Sequence, residues 1–308
     1  MTLRKTKKHR DVHELSRGTN ILFNIIAGAF ALMCVYPFLF VIVISLTDEE
    51  SLARKGYTLF PEKWSFSAYE YIFKAGDQLL NSYGITIFIT LIGTLISLVV
   101  ISLYAYAISR KNFSYRGFFS FIAFFTMLFN GGLVPTYMVI TQVLGLKDSI
   151  WALILPLIMN AFYVLIMRTF YNTTVPDAII ESAKIDGAGE LRAFITIVLP
   201  ISLPGIATIG LFATLGFWND WFNALLYIDN PSLVPLQSML MRIENSMQFL
   251  LSNAQLNSSG QSLEMLRTLP QEATRMALVV LATLPIACAY PFFQRYFVQG
   301  LTIGAVKE

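Results

Sequence analysis

The chain has 308 residues, of which 56% are hydrophobic and only 13% are charged, and its mean hydropathy is +0.61. The core of a soluble protein of this length cannot bury so many apolar side chains, so the composition excludes a soluble protein and indicates an integral membrane protein. The formal net charge of +3 is too small to indicate a nucleic-acid partner.

The chain begins with a basic segment, residues 1–18, which precedes an apolar run from Ile21 to Leu46. That run is too long for the core of a cleaved signal peptide, so we expect it to be retained as the first span, with the basic segment in the cytoplasm. Five further apolar stretches are each long enough to cross about 30 Å of hydrocarbon as a helix. The six predicted spans are residues 21–46, 83–108, 118–144, 150–171, 201–228 and 273–297.

The predicted fold class is therefore an all-α integral membrane protein, with six transmembrane helices within residues 19–298 and a cytoplasmic tail over 299–308. Six crossings place both termini inside, and most of the Lys and Arg residues then lie in inner segments, as the positive-inside rule requires. The predicted outer segments are residues 47–82, a turn around Lys147 and Asp148, and residues 229–272. The last of these is long enough to bind a partner protein; an exposed loop without a partner is the alternative.

The third and fourth predicted spans contain residues that disturb a continuous apolar helix. Asn130, Gly131 and Gly132, followed by Pro135, interrupt the third span near its middle. Broken backbone at that depth normally lines a cavity or packs against protein. In the fourth span Asn160 lies near the midplane, where it could hydrogen-bond a neighbouring helix or a solute hydroxyl. All of these residues are candidates for a substrate path.

The segment between the fourth and fifth spans, residues 172–200, is a long polar stretch on the predicted inner side. Pro176 and Asp177 suit the start of a helix, and Gly187 suits its end. A second short helix is predicted from Glu190 to about Val198, and it should end at Leu199-Pro200, because proline disfavours helical geometry in the preceding residue. The expected structure is a helix, a turn and a helix along the membrane face. An ordinary amphipathic connector has the same pattern.

An aromatic and polar cluster follows in the fifth span and comprises Trp218, Asn219, Asp220, Trp221, Phe222 and Asn223. Aromatic rings can stack on the C–H faces of a sugar, and carboxylate and amide groups can bond its hydroxyls, although an interfacial aromatic belt is an equal alternative. Asp220 lies about 12 Å from the outer end of its span, where an unpaired carboxylate is unfavourable. We therefore expect Asp220 to face a translocation path or a partner helix.

The polar loop resembles the EAA loop of binding-protein-dependent ABC importer permeases. The match consists of Glu181-Ser182-Ala183, then Gly187, then Ile197 and Leu199-Pro200 at the spacing of that family, with Ser182 in place of the usual alanine. In that family the loop forms a coupling helix that docks on a cytoplasmic ATPase. The resemblance therefore implies a type I ABC importer permease fold. It also implies an ATPase-coupling role for Glu181, Ser182, Ala183, Asp186, Gly187, Ile197, Leu199 and Pro200.

Other segments resemble the carbohydrate branch of the same family, and the C-terminal residues from Gln294 to Lys307 resemble the maltose-type G subunit. The nearest likeness is to lipoprotein-associated permeases that import complex oligosaccharides. This implies an oligosaccharide cargo, a second homologous permease subunit, a dimeric ATPase that binds ATP and Mg, and an extracytoplasmic solute-binding lipoprotein, all at a bacterial cell membrane. It also implies that the tail reaches the ATPase through Gly300, Thr302, Gly304 and Lys307, although Glu308 stands where that family has a glycine.

The sequence itself carries no signature of catalysis. No glycine is followed by lysine, so a P-loop is absent, and Arg192 stands where a dinucleotide fingerprint needs its third glycine. The cysteines, Cys34 and Cys288, lie in apolar spans, and the histidines lie in the basic segment, so neither a disulfide framework nor a metal site is predicted. We expect a non-enzymatic subunit that binds no cofactor.

Three rival functions remain. An ion-coupled secondary transporter would use the broken third span and Asp220, but such coupling usually needs more than one intramembrane carboxylate. A membrane-embedded enzyme would need a cluster of His, Cys or carboxylate groups within the spans, which the sequence lacks. An ABC permease for glycerol phosphate, polyamine or peptide would carry a similar loop. A neutral, hydroxyl-rich cargo fits better than an anionic one, because the basic residues within the spans lie near their ends.

Overall fold

The computed structural model describes residues 17–74, 76–256 and 271–305. These residues are almost entirely helical, and they contain no β-strand beyond one isolated bridge between Thr47 and Trp64. The predicted all-α class is confirmed. The described residues fall into two compact units, the first drawn from Met1–Tyr69 and Pro270–Val280 and the second from Glu70–Leu269 and Leu281–Glu308.

The first unit contains the first predicted span. Helix α1, Arg17–Ser45, is continuous through Pro37, and its apolar side chains are largely exposed within this chain. Helix α2, Glu49–Lys55, follows it, and the carboxylate of Glu49 accepts hydrogen bonds from the backbone N–H groups of Glu272 (3.0 Å) and Ala273 (3.2 Å). Because the first N–H groups of a helix lack intrahelical partners, Glu49 caps the start of the last helix, Gln271–Ala305.

The second unit is built around one long helix, α4, Gly76–Ser109, which the short α3, Ser67–Phe73, precedes. Helix α4 packs against α8, Ala161–Thr174, and α12, Leu203–Trp218. Gly93 permits the second of these contacts, since a Cβ atom there would lie 2.6 Å from the ring of Phe217. The core of the unit includes Ile101, Ala105, Val164, Met167, Tyr171 and Ile209.

Within the described residues, three helices are long and apolar enough to cross a membrane: Gly18–Ser45, Gly76–Ser109 and Glu272–Pro291. The number rises to six if each of three bent helix pairs is one span. The pairs are Arg116–Leu128 with Leu133–Val143 at 115°, Ile150–Leu157 with Ala161–Thr174 at 49°, and Glu190–Ile201 with Leu203–Trp218 at 82°. Each predicted span therefore overlaps one of these helices or bent pairs, but the fifth, predicted as a continuous helix over 201–228, overlaps its pair only up to Trp218, because the helix breaks at residues 219–221. The six spans as membrane crossings stay a prediction.

The predicted interruption of the third span is confirmed. Helix α5, Arg116–Leu128, ends before Asn130, and α6, Leu133–Met138, starts after Gly132, whose φ is 89°. Only glycine adopts that φ without strain, so the chain can turn sharply there. A π-helical turn, Val139–Val143, continues α6.

The fourth span is also interrupted. Helix α7, Ile150–Ile154, passes into a 3₁₀ turn at Leu155–Leu157, and α8 starts only at Ala161. The side chain of Asn160 accepts a hydrogen bond from the N–H of Phe162 (2.9 Å), so Asn160 is the N-cap of α8.

The segment between α8 and α12 contains three short helices: α9, Asp177–Ile185, α10, Glu190–Ala193, and α11, Leu199–Ile201. The helix that was expected to end at Leu199-Pro200 instead continues to Ile201, which corrects the prediction. A π-helical turn, Phe194–Val198, precedes Pro200, and the N–H of Leu199 bonds to the carbonyl of Phe194, five residues back. The wider turn accommodates a proline ring that has no N–H to donate.

The fifth and sixth spans differ in continuity. The helix is interrupted at residues 219–221, beyond α12. The chain then forms α13, Phe222–Tyr227, and later α14, Leu236–Leu256. The last helix, α15, Gln271–Ala305, contains Pro285 and Pro291 and extends into the predicted tail. This helix therefore includes Gly300, Thr302 and Gly304. Lys307 and most of the basic N-terminal segment lie outside the described residues.

Candidate functional site

In the polar loop α9 and α10 are connected by a tight turn, as predicted, and the third short helix, α11, follows α10. Helix α9 starts at Asp177, one residue later than expected, because Pro176 occupies the N-cap position. After α9 ends, the N–H of Gly187 bonds to the carbonyl of Lys184 (3.0 Å) and Gly187 has a φ of 84°. Glycine is favoured at this φ, so the turn residue that the pattern predicts is the one that makes the turn.

The predicted coupling residues divide by exposure. Glu181, Ser182, Asp186, Gly187 and Pro200 are exposed, whereas Ala183, Ile197 and Leu199 are half-buried. The hydroxyl of Ser182 donates to the carbonyl of Ile179 (3.0 Å), so it is occupied within α9. The exposed members form the surface of the turn, and the half-buried members contribute to its packing.

Two apolar residues that the pattern did not single out lie on the same turn. The side chain of Ile185 is 86% exposed and that of Leu191 is 63% exposed. Both are large apolar side chains beside the polar turn. The sequence could have predicted their exposure, because both residues flank the Gly187 turn and neither lies on the face of the helix that is buried at Ile180.

The start of α9 is bound to the end of α4. Lys111 Nζ lies 2.8 Å from Asp177 Oδ2, and Arg110 Nη1 lies 3.5 Å from Asp177 Oδ1. The hydrogen bond from Lys111 is the main reason why the pKa of Asp177 lies below its usual range. The cations of the turn after α4 therefore hold the first residue of α9.

The start of α10 is bound to α4 as well. The hydroxyl of Tyr106 donates to Glu190 Oε2 (2.9 Å), and Lys184 of α9 forms an ion pair with Glu190 Oε1. The hydrogen bond from Lys184 is the largest influence on the pKa of Glu190, which is lowered. The guanidinium of Arg110 lies 5.2 Å above the centre of the Tyr106 ring. Both helices of the loop are thus connected to the last turns of α4, so a displacement of the loop acts on α4.

The packing beneath these polar contacts is aromatic. Phe194 is buried with its ring centre 4.9 Å from that of Tyr106, and Tyr106 makes an edge contact with Tyr171 of α8. Close-packed cores transmit displacement because they are not compressible. The loop is therefore connected to α4 and α8 through apolar packing in addition to hydrogen bonds.

The substrate-path candidates of the third and fourth spans are exposed, and they lie at helix breaks. The side chain of Asn130 accepts a hydrogen bond from the N–H of Gly132 (2.8 Å), with Gly131 between them. Asn160 caps α8, and opposite this break the hydroxyl of Ser97 donates to the carbonyl of Ile158. Each asparagine therefore uses its carbonyl oxygen to stabilise a break.

The fifth-span cluster does not act as one surface. Trp218 is buried, and its indole N–H donates to the carbonyl of Ala282 in α15 (2.9 Å). Asp220 accepts hydrogen bonds from the backbone N–H (3.2 Å) and the side-chain amide (2.9 Å) of Asn223. Asn219 is exposed and donates to Leu215, and Trp221 is 39% exposed. The structure brings Asp220 and Asn223 together and separates Trp218 from Trp221.

A second group of polar contacts joins segments that were predicted to lie outside. Asp148 Oδ1 accepts hydrogen bonds from the N–H groups of Asn230 (2.8 Å) and Asp229 (2.6 Å), and these lower the pKa of Asp148. Lys147 Nζ lies 2.7 Å from Asp229 Oδ2, and the side-chain amide of Asn81 donates to Ser232 (2.7 Å). Segments predicted on one side of the membrane thus contact one another.

Comparisons with known proteins agree with this architecture. Residues 107–303 match the family described as "Binding-protein-dependent transport system inner membrane component". The polygalacturonan/rhamnogalacturonan transport system permease protein YtcP of Bacillus subtilis is 40% identical over 278 residues, which cover 90% of this chain and 94% of that protein. Protein LplC of the same organism is 38% identical over 288 residues, covering 94% and 93%.

A solved structure shows the same fold. A chain from the crystal structure of a bacterial ABC transporter involved in the import of the acidic polysaccharide alginate superposes with a TM-score of 0.74 and 29% identity, over 92% of this chain and 99% of that chain. The resemblance drawn from the polar loop is confirmed. This chain belongs to the family of binding-protein-dependent transport system inner membrane components, and it is a multi-pass membrane protein with the type I ABC permease fold.

Proposed function

We propose that this chain is one transmembrane permease subunit of an ATP-driven importer for an oligosaccharide that a solute-binding lipoprotein delivers. The observation that carries the proposal is the similarity over nearly the full length of both chains to a permease for polygalacturonan/rhamnogalacturonan. The likeness to an alginate importer supports the same class of cargo. The cargo of this chain is therefore an oligosaccharide, in preference to glycerol phosphate or polyamine.

The energy for import comes from a cytoplasmic ATPase dimer, which binds ATP and Mg. The ATPase docks on the turn around Gly187, with Glu181, Ser182 and Asp186 as polar contacts. The exposed side chains of Ile185 and Leu191 support this, because they supply an apolar contact in a polar surface. When ATP closes the ATPase dimer, the loop moves, and its connections to Tyr106, Arg110 and Lys111 pull α4 from an inward-open to an outward-open arrangement.

The termini lie in the cytoplasm. Asn81 and Arg110 lie at opposite ends of α4, about 44 Å apart at 1.5 Å per residue. That length matches the full thickness of a bilayer, about 40–45 Å. The contacts around Asn81 therefore face outside and those around Arg110 face inside, in keeping with the distribution of basic residues. The end of α15, with Gly300, Thr302 and Gly304, reaches the ATPase, as does Lys307, which lies outside the described residues.

The path for the oligosaccharide runs past the helix breaks. Asn130, Gly131 and Asn160 contribute polar groups at the breaks of the third and fourth spans, and Asn219, Asp220, Trp221 and Asn223 contribute those of the fifth. Trp218 has a different role, because its buried indole holds α15. A second homologous permease completes the path, and the exposed apolar face of α1 supports contact with that subunit or with lipid.

The test is transport by the complete importer in proteoliposomes. Acidic and neutral oligosaccharides and glycerol 3-phosphate are offered with the binding protein, and mass spectrometry identifies the glycan that co-purifies on that protein. We expect ATP-dependent accumulation of an oligosaccharide and none of glycerol 3-phosphate. Accumulation of glycerol 3-phosphate, or uptake that continues without ATP, would refute the proposal.

A further inference from the structure

A polar cavity of about 350 Å³ lies where α4, α5 and α8 meet, at the end that carries the coupling loop. The charged and amide groups in its wall are Lys111, Arg116, Arg168, Asn172 and Asp177. The cavity lies wholly within the second unit, and none of the coupling functions described above uses Arg116 or Arg168. Arg116 and Asn172 are exposed, so the cavity opens to the surface.

The charges in the cavity do not balance. Lys111, Arg116 and Arg168 supply three cations, and Asp177 is the only carboxylate in the wall. Asp177 already accepts from Lys111 and Arg110. Neither of the other two arginines forms an ion pair with any residue in the described ranges. The wall therefore keeps two cations available for an anion that the described part of the chain does not provide.

Arg168 carries the stronger signal of a missing partner. Its Nε atom is shielded from solvent and donates to no group in the described part of the chain. A buried donor without an acceptor is unfavourable, and such groups in native proteins normally have a partner. Since a guanidinium prefers planar oxyanions that can accept two parallel hydrogen bonds, the missing partner has the chemistry of a carboxylate or a phosphate.

The position of the cavity along the helices favours a phosphate over a carboxylate as the missing partner. Arg168 precedes the end of α8 by six residues, about 9 Å. Arg116 is the first residue of α5, and the next turn exposes Phe118 (60%) and Phe121 (61%), which suits contact with lipid. With the orientation proposed above, the cavity is at the level of the inner leaflet where lipid phosphates lie and where basic pockets between helices bind anionic headgroups.

We propose that Arg116 and Arg168 bind the phosphate of an anionic phospholipid from the cytoplasmic leaflet. An apolar groove of about 530 Å³ between α5 and α8, which includes Phe124, Met127, Phe162 and Phe170, offers a surface for an acyl chain along the same helix pair. The inference rests on the orientation given under the proposed function.

Occupancy of this cavity has a consequence for coupling. The bound phosphate lies beside Lys111, which holds Asp177 at the start of α9. A lipid in the cavity therefore stabilises the position from which the coupling loop begins. Anionic lipid acts on this importer as a structural ligand of the permease, not only as a solvent for its spans.

The experiment is native mass spectrometry of the complete importer, purified in detergent and titrated with phosphatidylglycerol or, separately, phosphatidylcholine. We expect preferential retention of phosphatidylglycerol by the wild type. Arg116→Gln and Arg168→Gln should each lower its retention about fivefold, since each removes one cation near the lipid phosphate. Arg192→Gln, which removes an exposed cation of the loop outside the cavity, is the matched control and should retain lipid like the wild type.

Each other outcome overturns the proposal. Equal retention by wild type and both cavity variants shows that lipid binds elsewhere. Inorganic phosphate and a soluble phosphatidylglycerol are compared as competitors at the same millimolar concentration. If the two displace bound phosphatidylglycerol equally well, the cavity takes a free anion. If the variants lose the ATPase while they retain lipid, the two arginines contact that subunit. Arg116 is exposed, so its variant remains informative if Arg168→Gln does not fold.

These results are independent of the proposed cargo. Lipid retention is measured without transport, so a permease that carries another solute still shows the dependence on Arg116 and Arg168. Conversely, confirmed import of an oligosaccharide does not rescue the lipid site if both variants retain phosphatidylglycerol normally.

Discussion

At the scale of single residues, Asp148 shows how one side chain fixes the contact between two loops. It has a φ of 56°, which Asp and Asn tolerate better than other side chains, and its carboxylate accepts from two consecutive N–H groups. These bonds favour the ionised form, so the pKa of Asp148 is lower in the folded chain than in the unfolded chain. Its contribution to stability is therefore complete above the unfolded pKa of about 3.9 and is lost as the pH falls through the lower, folded value.

Asp148→Asn removes this ionisable group and keeps a side chain that tolerates the same φ. We expect a lower midpoint of thermal unfolding for the variant at neutral pH, because the neutral amide oxygen is a weaker acceptor than a carboxylate. The difference from wild type should shrink as the pH falls below about 4, since wild-type Asp148 then also becomes neutral. Unfolding of the detergent-purified protein by intrinsic fluorescence, from neutral pH downward, measures this. A difference that stays constant across that range would contradict the assigned role.

Asp220 is a residue whose role could not be predicted from the sequence alone. The sequence marks it as a carboxylate that needs a partner, and the partner is Asn223, three residues away, at the start of α13. A polar residue that caps a helix break and one that contacts cargo look alike in a sequence, because both place an oxygen at membrane depth. The same ambiguity applies to Asn160, whose role as a cap follows only from the break after Leu157.

At the scale of elements, the crossing of α4 and α12 depends on a glycine. The Cβ atom of an alanine at position 93 would lie 2.6 Å from the ring of Phe217, which is buried. We expect Gly93→Ala to destabilise the permease by about 1–3 kcal/mol, the usual effect of overpacking a core. Gly84→Ala, on the same helix with no atom within 4 Å of its added carbon, is the control.

The control should be neutral or stabilising by up to about 1 kcal/mol, because alanine is the better helix former. Thermal unfolding of both variants in one detergent measures the difference. Equal midpoints for the two alanine variants would show that the contact between α4 and α12 relaxes more freely than the packing suggests.

The connection between α4 and the coupling loop is the next element-scale feature. Tyr106→Phe removes the hydroxyl that donates to Glu190 and leaves the aromatic packing intact. If this bond transmits the movement of the loop, we expect ATP hydrolysis to continue while the amount of oligosaccharide transported per ATP falls. Stability should fall by only about 1 kcal/mol, as for one hydrogen bond.

Tyr104→Phe supplies the matched control. It removes a similar hydroxyl from the same helix. That hydroxyl donates to the carbonyl of Phe119 in α5 (2.8 Å) and does not touch the loop. We expect a similar change in thermal stability and an unchanged transport ratio. Measurement of ATP hydrolysis and uptake in the same proteoliposomes separates the two effects, and an equal ratio in both variants would remove Tyr106 from the coupling route.

At the scale of the whole molecule, the sequence predicts what local chemistry determines. Gly187 and Asp177 mark the turn and start of a coupling helix because positive φ and helix termini depend on a few neighbouring residues. The break at Gly132 follows for the same reason. The connections from Tyr106 to Glu190 and from Lys111 to Asp177 join residues more than sixty positions apart, and no local pattern indicates them. The continuation of the helix through Pro200 depends on a π-helical turn, which the residue types alone do not specify.

The sidedness of the two polar contact groups is the prediction that the whole topology depends on. Asp229 lies in the group around Asp148, Ile185 lies beside the coupling turn, and both side chains are well exposed. Because α4 separates the two groups by about the thickness of a bilayer, we expect them to face opposite compartments. In a background with Cys34 and Cys288 replaced by serine, each position is changed in turn to cysteine.

A membrane-impermeant maleimide should label Asp229→Cys in intact cells, and Ile185→Cys only in inverted membrane vesicles from which the ATPase has been removed. Asp229 loses only an exposed ion pair with Lys147, which contributes little to stability, so the substitution should leave the fold intact. Reversed labelling would place the coupling loop outside the cell, where no ATPase can reach it. Labelling of both cysteines from one side would contradict the crossing of the membrane by α4 itself.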